Sequence, residues 1–416
     1  MRAELISATA DDKTPPIRLG VARLTKLAYA GNDLTPIWTE LRERVMRDPT
    51  DAGALMDLSV IAQLTGNAPF GEFCQQQALA ARRLYRLAQP GPAKLRVLAL
   101  CAAVDIGGNT PLDFLIQDSD VDLATLYVVP GADTPADEPF WDHDIAFVAV
   151  PDSDKTRPTL AAISKMLEAW PRPILNRPDR VPLLERDRFF KLLNSAPGIA
   201  IPPTLRVERA QLTAVAQSGA LPDELEHGAF PLIIRPVGSQ AGRGLEKIDD
   251  AAALAGYLAR LEDEAFFLSP FVDYSGTDGL YRKYRIAFID GRPFPCHMAV
   301  GADWSLWYLN AGMEADAAKR AEEEQFLLAF DQGFGARHSE ALAEIAHRVR
   351  LDYFGIDCAE TKDGKLLLFE GDIAMIVHDM DSPEIFPYKV PAMRRLFDAF
   401  IQMLHERAKP TEIAAA

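Results

Sequence analysis

Apolar positions along this chain follow three successive patterns. Up to about residue 92 they recur at helical spacing. Ile37, Trp38, Leu41 and Val45 mark one stretch; Leu55, Leu58, Ile61, Ala62 and Leu64 share a face of the next, residues 48–67. Asp48-Pro49 and Gly66-Asn67 punctuate the ends of that second stretch. A third amphipathic run, FGEFCQQQALAARRLYRL, occupies 70–87. After the Pro/Gly linker QPGPAK (89–94) the pattern changes to short apolar runs: LRVLALCAAV (95–104), LATLYVV (123–129), IAFVAV (145–150) and PILN (173–176). A helical stretch, TLAAISKMLEAW (159–170), separates the last two, and the alternation predicts a small parallel α/β sheet over 93–180. From 181 to 410 strands and helices mix. FPLIIRPV (230–237), AFFLSPFV (265–272), YRKYRIAFIDGRPFPCHMAV (281–300) and LLLFEGDIA (366–374) read as strands, the third folding back at Asp290-Gly291. Helical patterns cover 252–261, 340–354 and 393–408. The class is α+β, with a parallel α/β unit and a helical region in front.

Composition narrows the function. The 416 residues carry 44 Lys and Arg against 60 Asp and Glu, a net charge of −16. A surface of that sign repels phosphate backbones, so no nucleic-acid partner is expected, although a local basic pocket for one nucleotide is compatible with it. Four scattered cysteines with no CxxC exclude a disulfide scaffold and a cysteine-built zinc site. The start, MRAELISATADDKTPPIR, lacks the apolar core of a signal peptide, and no apolar run reaches 18 residues. No membrane partner is expected, and the simplest compartment is the cytoplasm. GGN at 107–109 is not a GxGxxG fingerprint, which leaves a dinucleotide-binding domain unsupported.

Two segments carry candidate chemistry. In LDYFGIDCAETKDGKLLLFEGD (351–372) two apolar strands flank a turn at Asp363-Gly364. Glu370 and Asp372 are two apart on the second strand and share a face, and Asp357 on the first can lie opposite them. Three converging carboxylates repel unless a cation sits between them, and oxygen ligands favour a hard ion such as Mg2+. Solvated acids flanking a turn are the plainer alternative. In FPLIIRPVGSQAGRGLEKI (230–248) a strand enters a loop containing Ser239, Gly242, Arg243 and Gly244, with Arg235 just before it. Backbone N–H groups and hydroxyls in such a loop can cradle a polyphosphate. There is no Walker A pattern, and an ordinary hairpin is the alternative.

In their order along the chain these segments resemble the ATP-grasp family, near its ribosomal-protein glutamate ligases, glutathione synthetase and D-alanine–D-alanine ligase. That family's D-x12-E-x-N metal signature falls on Asp357, Glu370 and Asp372, with Asp in place of Asn. ILNRPDRVPLLERDRFFKLLNSAPGIAIPPTLRV (174–207) is similar to the family's entry into the ATP-binding region, so the resemblance spans about 95–408. It implies an ATP-grasp core of two α+β subdomains over 181–410. It further implies ATP and Mg2+ (Mn2+ as an alternative), with phosphates held by Arg188 and Arg235 where the family usually has lysines. AFFLSPFV resembles the adenine-binding hinge, placing Ser269, Phe271 and Val272 at the base and Asp273 at the ribose. Arg285 resembles an arginine near the transferred phosphate, and Asn310 aligns with a polar position near the acyl phosphate. The implied activity is ligation of a carboxylate to an amine or thiol through an acyl phosphate, with a small-molecule or peptide substrate. An ATP-grasp kinase and a degenerate nucleotide-binding scaffold remain open. The family's ligases are often dimers or tetramers, which leaves a homo-oligomer open here. Residues 48–87 are separately similar to one tetratricopeptide helix hairpin of a 1–92 helical extension; a peptide groove needs several stacked repeats, so a cap packed on its own chain or on a second copy is the simpler expectation.

Overall fold

A computed structural model of the chain describes residues 14–88, 91–131, 141–225, 229–239 and 242–409. The architecture is α+β, built on three sheets. The first sheet has six strands in the order Ile17–Arg18, Leu84–Leu87, Val121–Tyr127, Leu95–Cys101, Ile145–Val148, Ile174–Leu175. Its last four strands are mutually parallel, as the alternation of apolar runs and helices predicts. The first two come from the region read as purely helical. Ile17–Arg18 runs parallel to Leu84–Leu87, which pairs antiparallel with Val121–Tyr127.

The reading of 70–87 as one helix is therefore corrected. The helix Ala68–Ala81 stops at Arg82, whose backbone is extended, and LYRL becomes a strand. Leu84 and Tyr85 are both buried, one in the core on each face of the sheet. A strand can bury consecutive residues on opposite sides, and that tertiary gain overrides local helical spacing. Residues before 92 thus complete the sheet that follows them, and the helices Val21–Tyr29, Thr35–Arg47, Ala52–Leu64 and Ala68–Ala81 are joined to it by their own flanking strands. Ala52–Leu64 is buried on nearly every side, which its apolar composition allows, and Asp51 caps its start by accepting from Ala54 N at 3.0 Å. Gln89 and Pro90 of the predicted linker lie outside the described residues.

The second sheet is small and antiparallel: Glu246–Ile248, Leu232–Pro236, Ala265–Pro270, Leu205–Glu208. Helices Arg209–Ser218 and Ala251–Arg260 supply Leu212, Val215, Leu254 and Tyr257 to its core, which involves no residue of the other sheets. The third sheet runs Arg292–Gly301, Tyr281–Ile289, Tyr353–Glu360, Leu366–Asp372, with Ile199–Ala200 added in parallel at the edge. The helical pattern over 340–354 is also corrected. That helix, Ser339–Val349, ends on Arg350 in the left-handed region (φ 55°), and Tyr353 already belongs to a strand. The last helix, Lys389–Arg407, lays Leu396, Phe397, Phe400 and Leu404 into a core shared by the first and third sheets. Phe400 stands with its ring 5.3 Å from that of Tyr353 and 6.0 Å from that of Phe147. Among the described residues no helix is long and apolar enough to cross a membrane.

Candidate functional site

The carboxylate hairpin is set by one irregularity. Cys358 pairs with Leu368, but the next pair is Asp357 with Glu370, so a bulge takes up Phe369. Regular pairing would put Phe369 opposite Asp357. The bulge brings Glu370 there instead, and two pairs further on Gly355 pairs with Asp372, which keeps Asp372 on the same face. On the other side Tyr281–Ile289 places Arg285 directly opposite Asp357, and Lys283, two residues earlier, shares its face.

These neighbours neutralise the acids. Arg285 donates from Nε and Nη2 to the two oxygens of Asp357 at 2.8 and 3.1 Å, and Lys283 Nζ adds a contact at 2.8 Å. Burial pushes the Asp357 carboxyl up, but Arg285 and Lys283 outweigh it and hold the group well below the ordinary carboxylate range. Glu370 is paired with Arg186, which also donates to the Phe369 carbonyl at 3.0 Å. Arg235 Nη1 stands 3.8 Å from Glu370. Arg235 in turn donates to the Ser239 hydroxyl at 3.1 Å and to its carbonyl at 2.5 Å. One side chain thus links the glycine loop of the second sheet to the hairpin of the third. Burial lowers the Arg235 guanidinium to about 10. Asp372 accepts from Ala374 N at 2.9 Å and makes no ion pair among the described residues, and burial raises its carboxyl. Gly238, Gly242 and Gly244 all have positive φ. A Cβ on Gly244 would come within 2.7 Å of Pro236, so the loop folds back where only glycine fits. Gln240 and Ala241, at its tip, lie outside the described residues.

Several expected residues lie elsewhere. Arg188 faces Asp152 at 3.5 Å and Glu185 at 3.7 Å, and Arg186 takes the place expected for it. Two residues along a helix point about 200° apart, so only one of the two can face the hairpin. Asn310 spends both ends of its amide on its own loop, accepting from Trp307 N and donating to the Ser305 carbonyl, each at 2.9 Å. Arg243 pairs with Asp263 at 3.2 Å, and Asp273 with Lys362 at 2.6 Å. Along the expected hinge, Ser269 is held in register with Ile233, and Phe271 N donates to the Pro231 carbonyl at 3.0 Å. The Phe271 ring lies 5.8 Å from Trp304 and carries Lys247 Nζ at 4.6 Å, while Val272 packs with Tyr274. Sequence reasoning missed Arg186, Lys247 and Lys283. For Lys283 a signal existed, its two-residue spacing from Arg285 on a strand.

Behind Arg285 lies a buried polar group. Glu323 accepts from Tyr388 at 2.7 Å, from Tyr308 at 3.0 Å and from Met298 N at 3.1 Å, and Lys389 bridges it (3.2 Å) to Asp381 (2.8 Å). His297, paired with Arg285 across the strands, lies with its ring centroid 4.8 Å from that of Tyr308, the two rings tilted by 43°. Burial, then Arg285 and Lys389, hold its imidazole well below its usual value and therefore neutral. His378 accepts from Met380 N at 3.2 Å, a structural role.

The three carboxylates do not fit a divalent ion as arranged. Asp357 and Glu370 are occupied by basic side chains, and among the described residues no group of three or more His, Cys, Asp or Glu is placed to hold a metal. Four cations converge on this paired set of acids, Lys283 and Arg285 on Asp357 and Arg186 and Arg235 on Glu370, and such a cluster has the charge to hold a polyanion.

No family model matches the chain, and no curated protein matches it. Among solved structures it is similar to a RimK domain ATP-grasp protein from Sphaerobacter thermophilus (16% identity, TM-score 0.43, 74% of this chain and 99% of that one). It is also similar to a D-alanine–D-alanine ligase from Bacillus anthracis complexed with ATP (14%, 0.44, 76% and 99%). A third is the VanG D-Ala:D-Ser ligase from Enterococcus faecalis (13%, 0.46, 76% and 100%).

Proposed function

We propose that this protein is an ATP-dependent ligase that activates a carboxylate as an acyl phosphate and passes the acyl group to an amine. One observation supports it above the others: Arg235, tethered to the glycine loop, reaches Glu370 exactly opposite Asp357, so the two segments that resemble ATP-grasp motifs converge in space. Phosphoryl transfer needs positioning and charge neutralisation more than a protein nucleophile. The four cations that now hold carboxylates have the donors a triphosphate requires, and an arriving nucleotide would compete for them. In the reaction a substrate carboxylate oxygen attacks the γ-phosphorus and ADP leaves. The amine then attacks the acyl carbon, the acyl C–O bond breaks to release inorganic phosphate, and the proton lost from nitrogen passes to the departing phosphate or to water. Arg285 is the residue best placed to hold the transferring group, and the glycine loop to cover it. No step is routed through a metal ion, because the acids as set do not fit one.

Hydroxylamine trapping tests the intermediate. With ATP and a panel of carboxylates, a ligase yields a hydroxamate and free phosphate; a kinase yields a stable phosphorylated product and no hydroxamate. A second reading, a degenerate nucleotide-binding scaffold, is favoured by Arg188 lying on Asp152 and Glu185 and not at the hairpin. Calorimetry with millimolar ATP, with and without Mg2+, separates them: a silent titration eliminates the enzyme.

A further inference from the structure

Strand Ile17–Arg18, at the edge of the first sheet, carries an arginine whose surroundings are unusual. Arg18 is 6% exposed, yet among the described residues no carboxylate comes within ion-pairing distance of it. Its Nη2 donates to the Thr125 hydroxyl at 3.0 Å, and its Nε is buried with no hydrogen-bond partner. Burial alone would lower the Arg18 guanidinium, but Tyr127, Asp113 and Asp57 lie near enough to outweigh it and hold it above its ordinary value, and both acids also accept backbone hydrogen bonds. Asp57 accepts from Leu19 N at 2.8 Å and Gly20 N at 3.3 Å, and Asp113 accepts from Ala22 N at 2.8 Å. A guanidinium does not deprotonate under ordinary conditions, and a buried charge without a contacting counter-ion is costly. Such a group is retained where something else supplies the anion.

The space for it is present. Arg18 and Thr125 line a cavity of about 60 Å³ between the face of the first sheet and the helices Ala52–Leu64 and Ala68–Ala81. Much of the other polar lining is already spent: Gln63 accepts from Ile106 N at 3.0 Å, and Gln75 donates to the Val104 carbonyl at 2.7 Å. The remaining polar lining comprises Arg18 and the hydroxyls of Thr125, Ser59 and Tyr127 as donors, with the carboxylates of Asp105 and Asp113 also at the wall. A cavity of this size accommodates roughly four to six non-hydrogen atoms, taking about 10–15 Å³ for each water-sized occupant. No lining residue belongs to the carboxylate hairpin or the glycine loop.

We propose that this cavity is a binding site for a small monocarboxylate, gripped by the Arg18 guanidinium with Thr125 as a second donor. A planar carboxylate matches the guanidinium fork, and its short apolar end would face Met56, Val60 and Leu123. The site is independent of the nucleotide reading of the hairpin, and its test does not use ATP.

The test is a titration of the full chain with sodium acetate, by calorimetry and by melting temperature, against sodium chloride at equal ionic strength. Acetate is expected to bind saturably with one site per chain and to raise the melting temperature, because it binds only the folded state. Chloride is expected to do neither. Arg18→Gln should abolish acetate binding, and Thr125→Val, which removes one hydroxyl without changing shape, should weaken it about tenfold or more, as loss of a hydrogen bond to a charged group does. If Arg18→Gln does not fold, the Thr125→Val measurement decides alone. Equal responses to chloride and acetate, no saturable binding, or undiminished acetate affinity in the variants would overturn the proposal.

Discussion

At the hairpin, Asp357 is buried against Arg285 and Lys283, and Glu370 meets Arg186 and Arg235. Beneath the N-terminal helices, Arg18 is buried with no acid in contact among the described residues, and Asp57 with backbone N–H groups as its partners. Charge is compensated by contact in the first region and only at a distance in the second. A cluster balanced by contact can exchange partners: a triphosphate replaces carboxylates on cations already in place. A cluster left unbalanced cannot exchange, and it acquires its partner only from outside.

The largest expected effect comes from breaking the contact-balanced cluster. Asp357→Asn leaves Arg285 and Lys283 facing a neutral amide and should cost about 3–5 kcal/mol in urea unfolding at neutral pH. An effect under about 1 kcal/mol would show that solvent already screens the cluster.

Acid titration contrasts the two regions with opposite signs. Burial raises the Asp57 carboxyl from 3.8 to about 6 in the folded protein. Its cost is absent below the ordinary value, grows as pH rises through that window and stays constant above it. In Asp57→Asn, stability relative to wild type should therefore improve between pH 4 and 6.5, by up to about 3 kcal/mol. Asp357 is shifted the other way, so its contribution is present above its ordinary value, about 3.9, and is lost as pH falls below it. The deficit of Asp357→Asn relative to wild type should shrink in acid. Parallel pH profiles for the two variants would contradict the comparison.

A smaller effect sharpens the assignment within the hairpin. Arg186→Gln should weaken binding of a fluorescent ATP analogue by about 10- to 100-fold, the range for charged hydrogen bonds. The smallest belongs to Arg188→Gln, about threefold at most, because its partners are Asp152 and Glu185. A reversed order would return the phosphate-binding role to Arg188.

Much of this was legible in the sequence, for reasons that residues make plain. The two-residue spacing of Glu370 and Asp372 put those two acids on one face of a strand, as found. The runs at 95–104, 123–129, 145–150 and 173–176 became parallel strands. The features that were not legible depend on contacts far along the chain. Leu84–Leu87 is a strand because Val121–Tyr127 is there to pair with it. The bulge at Phe369 has no local sequence mark, and without it Glu370 would not face Asp357. The choice of Arg186 over Arg188 depends on where the helix Arg186–Leu193 begins, a boundary that a one-residue shift would change. Arg18 was invisible because neither a charge count nor a motif shows that a cation lacks an anion.

The position of the last helix bears on the order in which the chain can fold during synthesis. By the time Leu268 has emerged, every residue in the small sheet's core exists, so that unit can close early. The first sheet, though finished as hydrogen bonds by Leu175, has only part of one apolar face covered by the earlier helices, and the part around Phe147 lacks its cover until Lys389–Arg407 is made. For more than two hundred residues of translation Phe147 and its neighbours wait without Phe400. A ribosome stalled in that interval would expose this face, making truncated chains the species most prone to associate.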